Sequence, residues 1–163
     1  MKYKLCLLLL GISTMLGCAH LAARFYPVQG PLSAQVPQPV LIARISGKFT
    51  PGDISVVLPD GEVCKGRWTI LQPTQAPKGS ATGIAPPNPL ASVWDSVYGP
   101  GYYVARVLGT RYYARTVATG NRGTILNAEM YSTPGEAQGA TNIKGVAQDN
   151  RDNMYKMVVD WER

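Results

Sequence analysis

Short runs of β-branched and aromatic residues, separated by turn sequences, fill the chain from Val40 onward. Such runs are typical of β-strands. The clearest hairpin joins residues 54–58 to residues 62–68 through Pro59-Asp60-Gly61, because proline presets its own φ and glycine accepts a positive φ. The pattern predicts strands at residues 40–46, 53–58, 62–71, 111–118, 123–131, 143–148 and 154–161.

One helix is predicted between these strands, after a loop at residues 72–89 that is rich in proline and glycine. Asn88 is a suitable N-cap, and Pro89 suits the first turn. Apolar residues then follow at positions i, i+3, i+4, i+7 and i+8, which predicts one buried stripe: Leu90, Val93, Trp94, Val97 and Tyr98. Residues 102–108 fit either a helix or a strand.

These elements predict a mainly β fold, which is a small antiparallel β-barrel or sandwich with one short helical insertion. All of them belong to a single domain at residues 40–163. Within the hairpin, Val63 and Trp68 fall on opposite parities of one strand. Gly66 is therefore predicted to mark a β-bulge.

The chain opens with Lys2 and Lys4, followed by an apolar stretch at residues 5–16. This stretch of about twelve residues is shorter than the ~20 that a transmembrane helix needs, so residues 1–17 are predicted to be a cleaved signal peptide. Its end, Met15-Leu16-Gly17-Cys18, resembles the lipobox of bacterial lipoproteins. The resemblance implies that Cys18 is acylated and becomes the new N-terminus. The alternatives are an ordinary signal cleaved near Ala22-Ala23 and an incidental cysteine.

A lipoprotein anchor implies a membrane-attached protein of the bacterial cell envelope. Ala19 stands where an aspartate would resemble an inner-membrane retention signal, which favours the outer membrane. Residues 18–39 carry four prolines and no sustained period, so they are predicted to be a tether with a reach of roughly 60 Å when fully extended. Phe25 and Tyr26 are expected either at the membrane interface or packed against the domain.

The charge of the chain is mildly basic. Once Lys2 and Lys4 leave with the signal, fourteen basic residues remain against ten acidic ones, a net charge of +4. These charges are scattered, as on an ordinary solvated surface. Nucleic acid is not an expected partner in the envelope. An envelope protein or an anionic polymer is the expected partner besides the membrane itself.

Few residues are available for catalysis or for metal binding. His20 is the only histidine, and it lies two residues after the proposed anchor. Nucleophile–histidine systems need an imidazole beside the nucleophile, and one histidine with Cys64 does not make a zinc site. Neither a catalytic residue nor a metal or cofactor is predicted. Cys64 itself is expected to be a buried thiol, with an intermolecular disulfide or a reactive thiol as alternatives.

Two carboxylate pairs deserve consideration as hydrolytic groups. Asp60 and Glu62 flank a turn glycine, and Asp149 and Asp152 lie in a later loop. Glycoside hydrolysis needs two carboxyl groups across a cleft, which neighbouring turn positions do not supply. The run 149–153 also resembles a calcium loop, but it lacks the glycine and the later glutamate of an EF-hand, so an ordinary turn is predicted.

Basic and aromatic residues alternate in the strand predicted at residues 111–118. Because alternate residues share one face of a strand, Arg111, Tyr113 and Arg115 are predicted to project together. Such a face can stack on sugars or hold phosphates. The other interpretation is that these are ordinary arginines on the solvent side of a strand.

The lipobox and three further segments together resemble an uncharacterised group of small bacterial envelope lipoproteins: residues 26–31 (YPVQGP), 59–62 (PDGE) and 121–124 (NRGT). The resemblance implies a location and no activity. We therefore expect a non-catalytic structural or interaction role in the envelope. The alternatives are a module that binds an anionic glycan or lipid headgroup through residues 111–115, and a hydrolase that uses carboxylates.

Overall fold

The computed structural model describes residues 20–47, 51–71, 89–108, 112–132 and 143–161. They contain eight strands that form a closed barrel in chain order, and each strand runs antiparallel to the next. The strands are β1 (His20–Gln29), β2 (Leu41–Ser46), β3 (Gly52–Val57), β4 (Val63–Leu71), β5 (Tyr112–Gly120), β6 (Ile125–Ser132), β7 (Ile143–Asp149) and β8 (Met154–Trp161). Closure comes from pairing between β1 and β8.

The prediction of a mainly β fold is confirmed. Of the two predicted architectures, barrel and sandwich, the structure is the barrel. Strands stand at all seven predicted places, with ends that differ by at most two residues. The predicted bulge at Gly66 is wrong, because the pairing of β3 with β4 is continuous from Gly52↔Trp68 to Val57↔Val63. Gly66 is needed for another reason: a Cβ there would lie 2.4 Å from the carbonyl oxygen of Val117 on β5.

The predicted tether at residues 18–39 is wrong for most of its length. β1 occupies His20–Gln29 and pairs with both β2 and β8. A 3-10 turn, Pro31–Ala34, follows it. The strand forms because Leu21, Ala23 and Phe25 alternate into the core, and Pro27 is accommodated beside a shift in the β1–β8 register. Phe25 therefore packs inside the barrel and is fully buried.

Apolar side chains fill the interior of the barrel, and each strand contributes every second residue to it. The largest of those that are fully buried are Phe25, Leu41, Ile45, Ile54, Leu126, Tyr155 and Met157. The rings of Phe25 and Tyr155 meet edge to face with centroids 6.0 Å apart. Small residues such as Ala23, Ala43, Ala118, Ala128 and Ala147 leave room for these large side chains in a narrow barrel.

The predicted helix is α1 (Ala91–Tyr98), and it packs on the outside of the barrel. Its N-cap is Leu90 without a side-chain hydrogen bond, whereas the predicted cap Asn88 lies outside the described residues. A short π-helix follows at Tyr103–Val107, within the stretch 102–108 whose sequence fits either a helix or a strand. Val93, Trp94 and Val107 form a second apolar cluster with Tyr131 and Val146 of the barrel wall.

The two ends of the barrel differ. At one end, here called the entry end, β1 begins at His20 beside Ser46, the last residue of β2. At the other end, here called the turn end, three tight connections lie together, between β3 and β4, β5 and β6, and β7 and β8. The 3-10 turn also lies at the turn end, where the backbone N–H of Leu32 donates to Asn153 Oδ1 at 2.8 Å.

Candidate functional site

A buried carboxylate, Glu62, organises the turn end. Its Oε1 accepts hydrogen bonds from the backbone N–H groups of Arg122 (2.8 Å) and Thr124 (3.1 Å). Its Oε2 accepts from the Thr124 hydroxyl at 2.6 Å and from Arg151 Nη2 at 2.8 Å. The hydroxyl of Thr124 is the largest of several donors that lower the pKa of Glu62. Glu62 is therefore a fully hydrogen-bonded anion that joins three turns.

Asp60 extends this cluster to the surface. Its carboxylate meets Arg122 Nη2 at 2.8 Å and Arg151 Nη1 at 3.2 Å. The backbone N–H of Glu62 donates to Asp60 Oδ1, and this bond is the main cause of the lowered pKa of Asp60. Arg151 thus bridges Asp60 and Glu62. The two carboxyl groups do not face each other across a cleft, as a pair of hydrolytic carboxylates would.

Asp149 occupies the same end from inside the barrel. Its Oδ1 accepts from the backbone N–H groups of Arg151 (2.8 Å) and Asn153 (3.0 Å), and its Oδ2 accepts from Asn153 Nδ2 (2.9 Å) and the Tyr155 hydroxyl (2.6 Å). Burial and the bond to Asp149 raise the pKa of Tyr155. These bonds make the 149–153 segment a tight turn in which Asp152 adopts a φ of 63°.

Cys64 lies inside the barrel beneath Glu62 and is fully buried. Burial, with a further contribution from the charge of Glu62, raises the pKa of its thiol to about 11. The thiolate is the reactive form of cysteine, so this thiol is unreactive at neutral pH. A buried thiol was the expected state of Cys64, and the structure places it so.

The predicted face of Arg111, Tyr113 and Arg115 is only partly within the described residues. Arg111 lies outside them, as does the side chain of Tyr113. Arg115 points outward but is engaged by Glu129 of β6: Nε and Nη2 of Arg115 lie 2.9 and 2.7 Å from Glu129 Oε1. Arg115 is therefore paired with a carboxylate of the barrel wall, and this pairing competes with the binding of an external anion.

Glu129 is fully buried under α1, and Trp94 Nε1 of that helix donates to its Oε2 at 3.0 Å. Around this pair, Tyr98 and Tyr102 stack beside Trp94, with ring centroids 4.7 Å apart between the two tyrosines. Burial raises the pKa of Tyr98. This aromatic group fixes α1 to the wall formed by β6, β7 and β8, where Tyr98 donates to the carbonyl of Gly145.

The opposite side of the barrel carries exposed charge. The β1–β4 wall is defined here as the outward-facing residues of β1, β2, β3 and β4. At the outward positions that the structure describes, four side chains are basic and one, Asp53, is acidic. The basic residues Arg24, Arg44, Lys65 and Arg67 are all exposed. Arg44 pairs with Ser55 and Ser55 with Lys65, so two of these cations lie in one row across three strands.

Comparison with models of protein families, with curated proteins and with solved structures finds no match for this chain. Within the described ranges, no three histidine, cysteine or acidic side chains come together as metal ligands do. No helix in the same ranges combines the length and the apolar character required to cross a membrane.

Two parts of this arrangement were missed from the sequence. The turn-end cluster joins residues as far apart as Glu62 and Arg151, and the pairing of Trp94 with Glu129 spans 35 positions. The available signal was the acidic residue in each predicted turn, because Asp and Glu near a turn often accept its backbone N–H groups. The β1–β4 wall gave no local signal, since its charges come together only through the strand register.

Proposed function

We propose that this chain is a lipid-anchored protein of the bacterial cell envelope, processed before Cys18 and acylated there, with a non-catalytic structural or interaction role. The outer membrane is the proposed location. In this proposal the acyl chains hold a closed barrel at the membrane surface. Several acyl chains make attachment effectively permanent, whereas one gives only marginal binding.

The observation that carries the proposal is the position of β1. Cleavage between Gly17 and Cys18 leaves all of β1 on the mature protein. Cleavage near Ala22-Ala23, the alternative for an ordinary signal peptide, removes Leu21 and cuts a strand that pairs on both sides. Leu21 and Ala23 are both core residues, so that alternative product loses part of its core. The requirement for an intact β1 supports processing at Cys18.

The non-catalytic part of the proposal is supported by the state of the polar groups. Both oxygens of Glu62 and of Asp149 accept hydrogen bonds from the protein itself. A general base needs an oxygen within reach of a substrate proton, and these oxygens are already occupied. The interior is filled with side chains, and the Cys64 thiol is protonated within it. The outer surface is then the part of the barrel that meets other molecules.

The test is the Cys18→Ser variant, produced as the full chain in a bacterial host and separated into soluble and membrane fractions. The wild-type protein is expected to stay in the membrane pellet after a high-salt wash. The variant is expected to leave the pellet, because a serine hydroxyl cannot form the thioether to the lipid. Cys64→Ser is the matched control and is expected to remain in the pellet. A Cys18→Ser protein that has lost residues 1–17 and still stays in the salt-washed pellet would refute the proposal.

A further inference from the structure

We propose that the β1–β4 wall rests on the anionic phospholipid headgroups of the membrane to which the chain is anchored. This inference rests on the proposed anchor at Cys18 and adds an orientation to it. The barrel then has a membrane side, formed by β1–β4, and an outward side, formed by α1 and the strands beneath it.

The β1–β4 wall is basic. Arg44 and Lys65 flank Ser55 in one row, and Arg67 follows Lys65 on the same face of β4. All three basic side chains are exposed. Basic side chains near an anionic bilayer are attracted to it, and guanidinium groups suit phosphate geometry. Asp53 is the cross-strand partner of Arg67 and is the one acidic side chain at the described outward positions of this wall. The wall therefore keeps a net positive charge, which is complementary to phospholipid headgroups.

The same wall also exposes apolar side chains. Ile42 and Val57 are cross-strand partners and are 49% and 50% exposed. They lie next to Arg44 and Ser55 along their strands. Aliphatic side chains between cations are well placed at the boundary between headgroups and acyl chains, where each type of group finds its preferred surroundings.

The β1–β4 wall is also close to the proposed anchor along the chain. β1 is itself one strand of this wall, and it begins two residues after Cys18. Two residues span at most ~7 Å, so the lipid holds the entry end of β1 at the bilayer surface. Ala22 of β1 pairs with Arg44, so the row of Arg44, Ser55 and Lys65 begins on β1 close to the point where that strand leaves the anchor. The anchor also makes the contact intramolecular, which raises its effective concentration.

The remaining surfaces fit a membrane less well. The turn end carries Asp60, Glu62, Asp149 and Asp152 against Arg122 and Arg151. The far wall exposes Arg106 and Lys144, but α1 covers its strands, Lys156 lies over the ring of Tyr98, and Arg115 is paired with Glu129. The β1–β4 wall differs from it because it contains β1, the strand that leads from the anchor.

The experiment measures the accessibility of one engineered thiol on each side. Full-length lipidated protein is reconstituted into vesicles of phosphatidylcholine alone, or of phosphatidylcholine mixed with phosphatidylglycerol. Ser55→Cys reports on the β1–β4 wall, and Ala105→Cys on the exposed π-helix is the matched control. Cys64 is buried with a pKa of about 11, and Cys18 carries lipid, so a maleimide labels only the introduced thiol.

Alkylation at position 55 is expected to slow in the anionic vesicles and to recover at high salt, whereas alkylation at position 105 is unchanged. One basic residue near an anionic surface shifts the docking equilibrium about fivefold, so Arg44→Gln or Arg67→Gln should weaken the protection at position 55 by about that factor. Arg106→Gln removes an exposed arginine from the other side and should leave the protection unchanged.

Equal labelling of position 55 in both kinds of vesicle would overturn the docking proposal. Protection that needs an added acidic protein or glycan, rather than anionic lipid, would overturn it as well and identify another occupant. Flotation of the same samples separates this inference from the anchor. A protein that floats with the vesicles but is labelled equally retains its anchor and lacks the docked orientation, whereas a protein that does not float lacks the anchor.

Discussion

Truncation of Phe25 gives the sharpest test that residues 20–29 are part of the core. The side chain is fully buried and contacts the ring of Tyr155, so Phe25→Ala leaves a cavity in the centre of the barrel. Phenylalanine-to-alanine changes in cores cost about 3–5 kcal/mol of the free energy of unfolding. For a domain of this size each kcal/mol lowers Tm by about 2–4 °C, which gives an expected fall of about 6–20 °C.

The assay is thermal unfolding followed by circular dichroism. Val28→Ala is the control within the same strand, because Val28 is 45% exposed and its truncation should change stability by less than about 1 kcal/mol. If residues 18–39 formed an extended tether, both variants would melt like the wild type. An unchanged Tm for Phe25→Ala would refute the placement of β1 in the barrel.

Four further predictions concern particular contacts. Trp94→Phe removes the N–H that donates to buried Glu129. The loss of this donor should lower the free energy of unfolding, measured by chemical denaturation, by about 1–3 kcal/mol, and an unchanged value would refute this contact. Gly66→Ala places a Cβ 2.4 Å from a backbone oxygen of β5 and should lower Tm, whereas an unchanged Tm would contradict this packing. The pKa of Glu62 is below its ordinary value of 4.5 in the folded protein, so its contribution to stability is present above that value and is lost as pH falls through the lowered pKa. Acid titrations of unfolding should therefore show a steeper loss for the wild type than for Glu62→Gln, and parallel curves would count against the hydrogen-bonded anion. Cys64, with a pKa of about 11, should resist alkylation at pH 8 until the protein is unfolded in guanidinium, and rapid labelling of the native protein would contradict its burial.

The strands that were predicted correctly are those whose signals are local. Pro59-Asp60-Gly61 and residues 120–123 (GNRG) each lie between two β-rich runs, and a hairpin needs no more information than that. The helix at Ala91–Tyr98 was likewise visible from its apolar spacing. These elements also determine an antiparallel fold. Whether the sheet closes as a barrel or packs as a sandwich depends on the pairing of β1 with β8, which no local signal carries.

β1 was missed because its sequence contains signals for a tether and for a cleavage site as well as a signal for a strand. The prolines at and after Pro27 favour an extended tether, and Ala22-Ala23 resembles a signal cleavage site. The alternation of Leu21, Ala23 and Phe25 is the strand signal, but small residues weaken it. The strand is recognised only through its partners, because Ala23 pairs with β2 on one side and with β8 on the other.

The site could be predicted less well than the fold. The acidic residues of the turns were recognised, but their arginine partners belong to other turns, as with Asp60 and Arg151. Arg115 was assigned to a binding face, because the sequence does not reveal that Glu129 stands directly opposite it in β6. The β1–β4 wall depends on the register of four strands, and it became visible only when that register was known.

The most direct test of the account is the intact mass and N-terminal peptide of the mature protein, purified from the membrane fraction of a bacterial host. The account predicts a chain that begins at Cys18 and carries a diacylglyceryl thioether. An unmodified chain that begins at Cys18, or a chain that begins within β1, would contradict it.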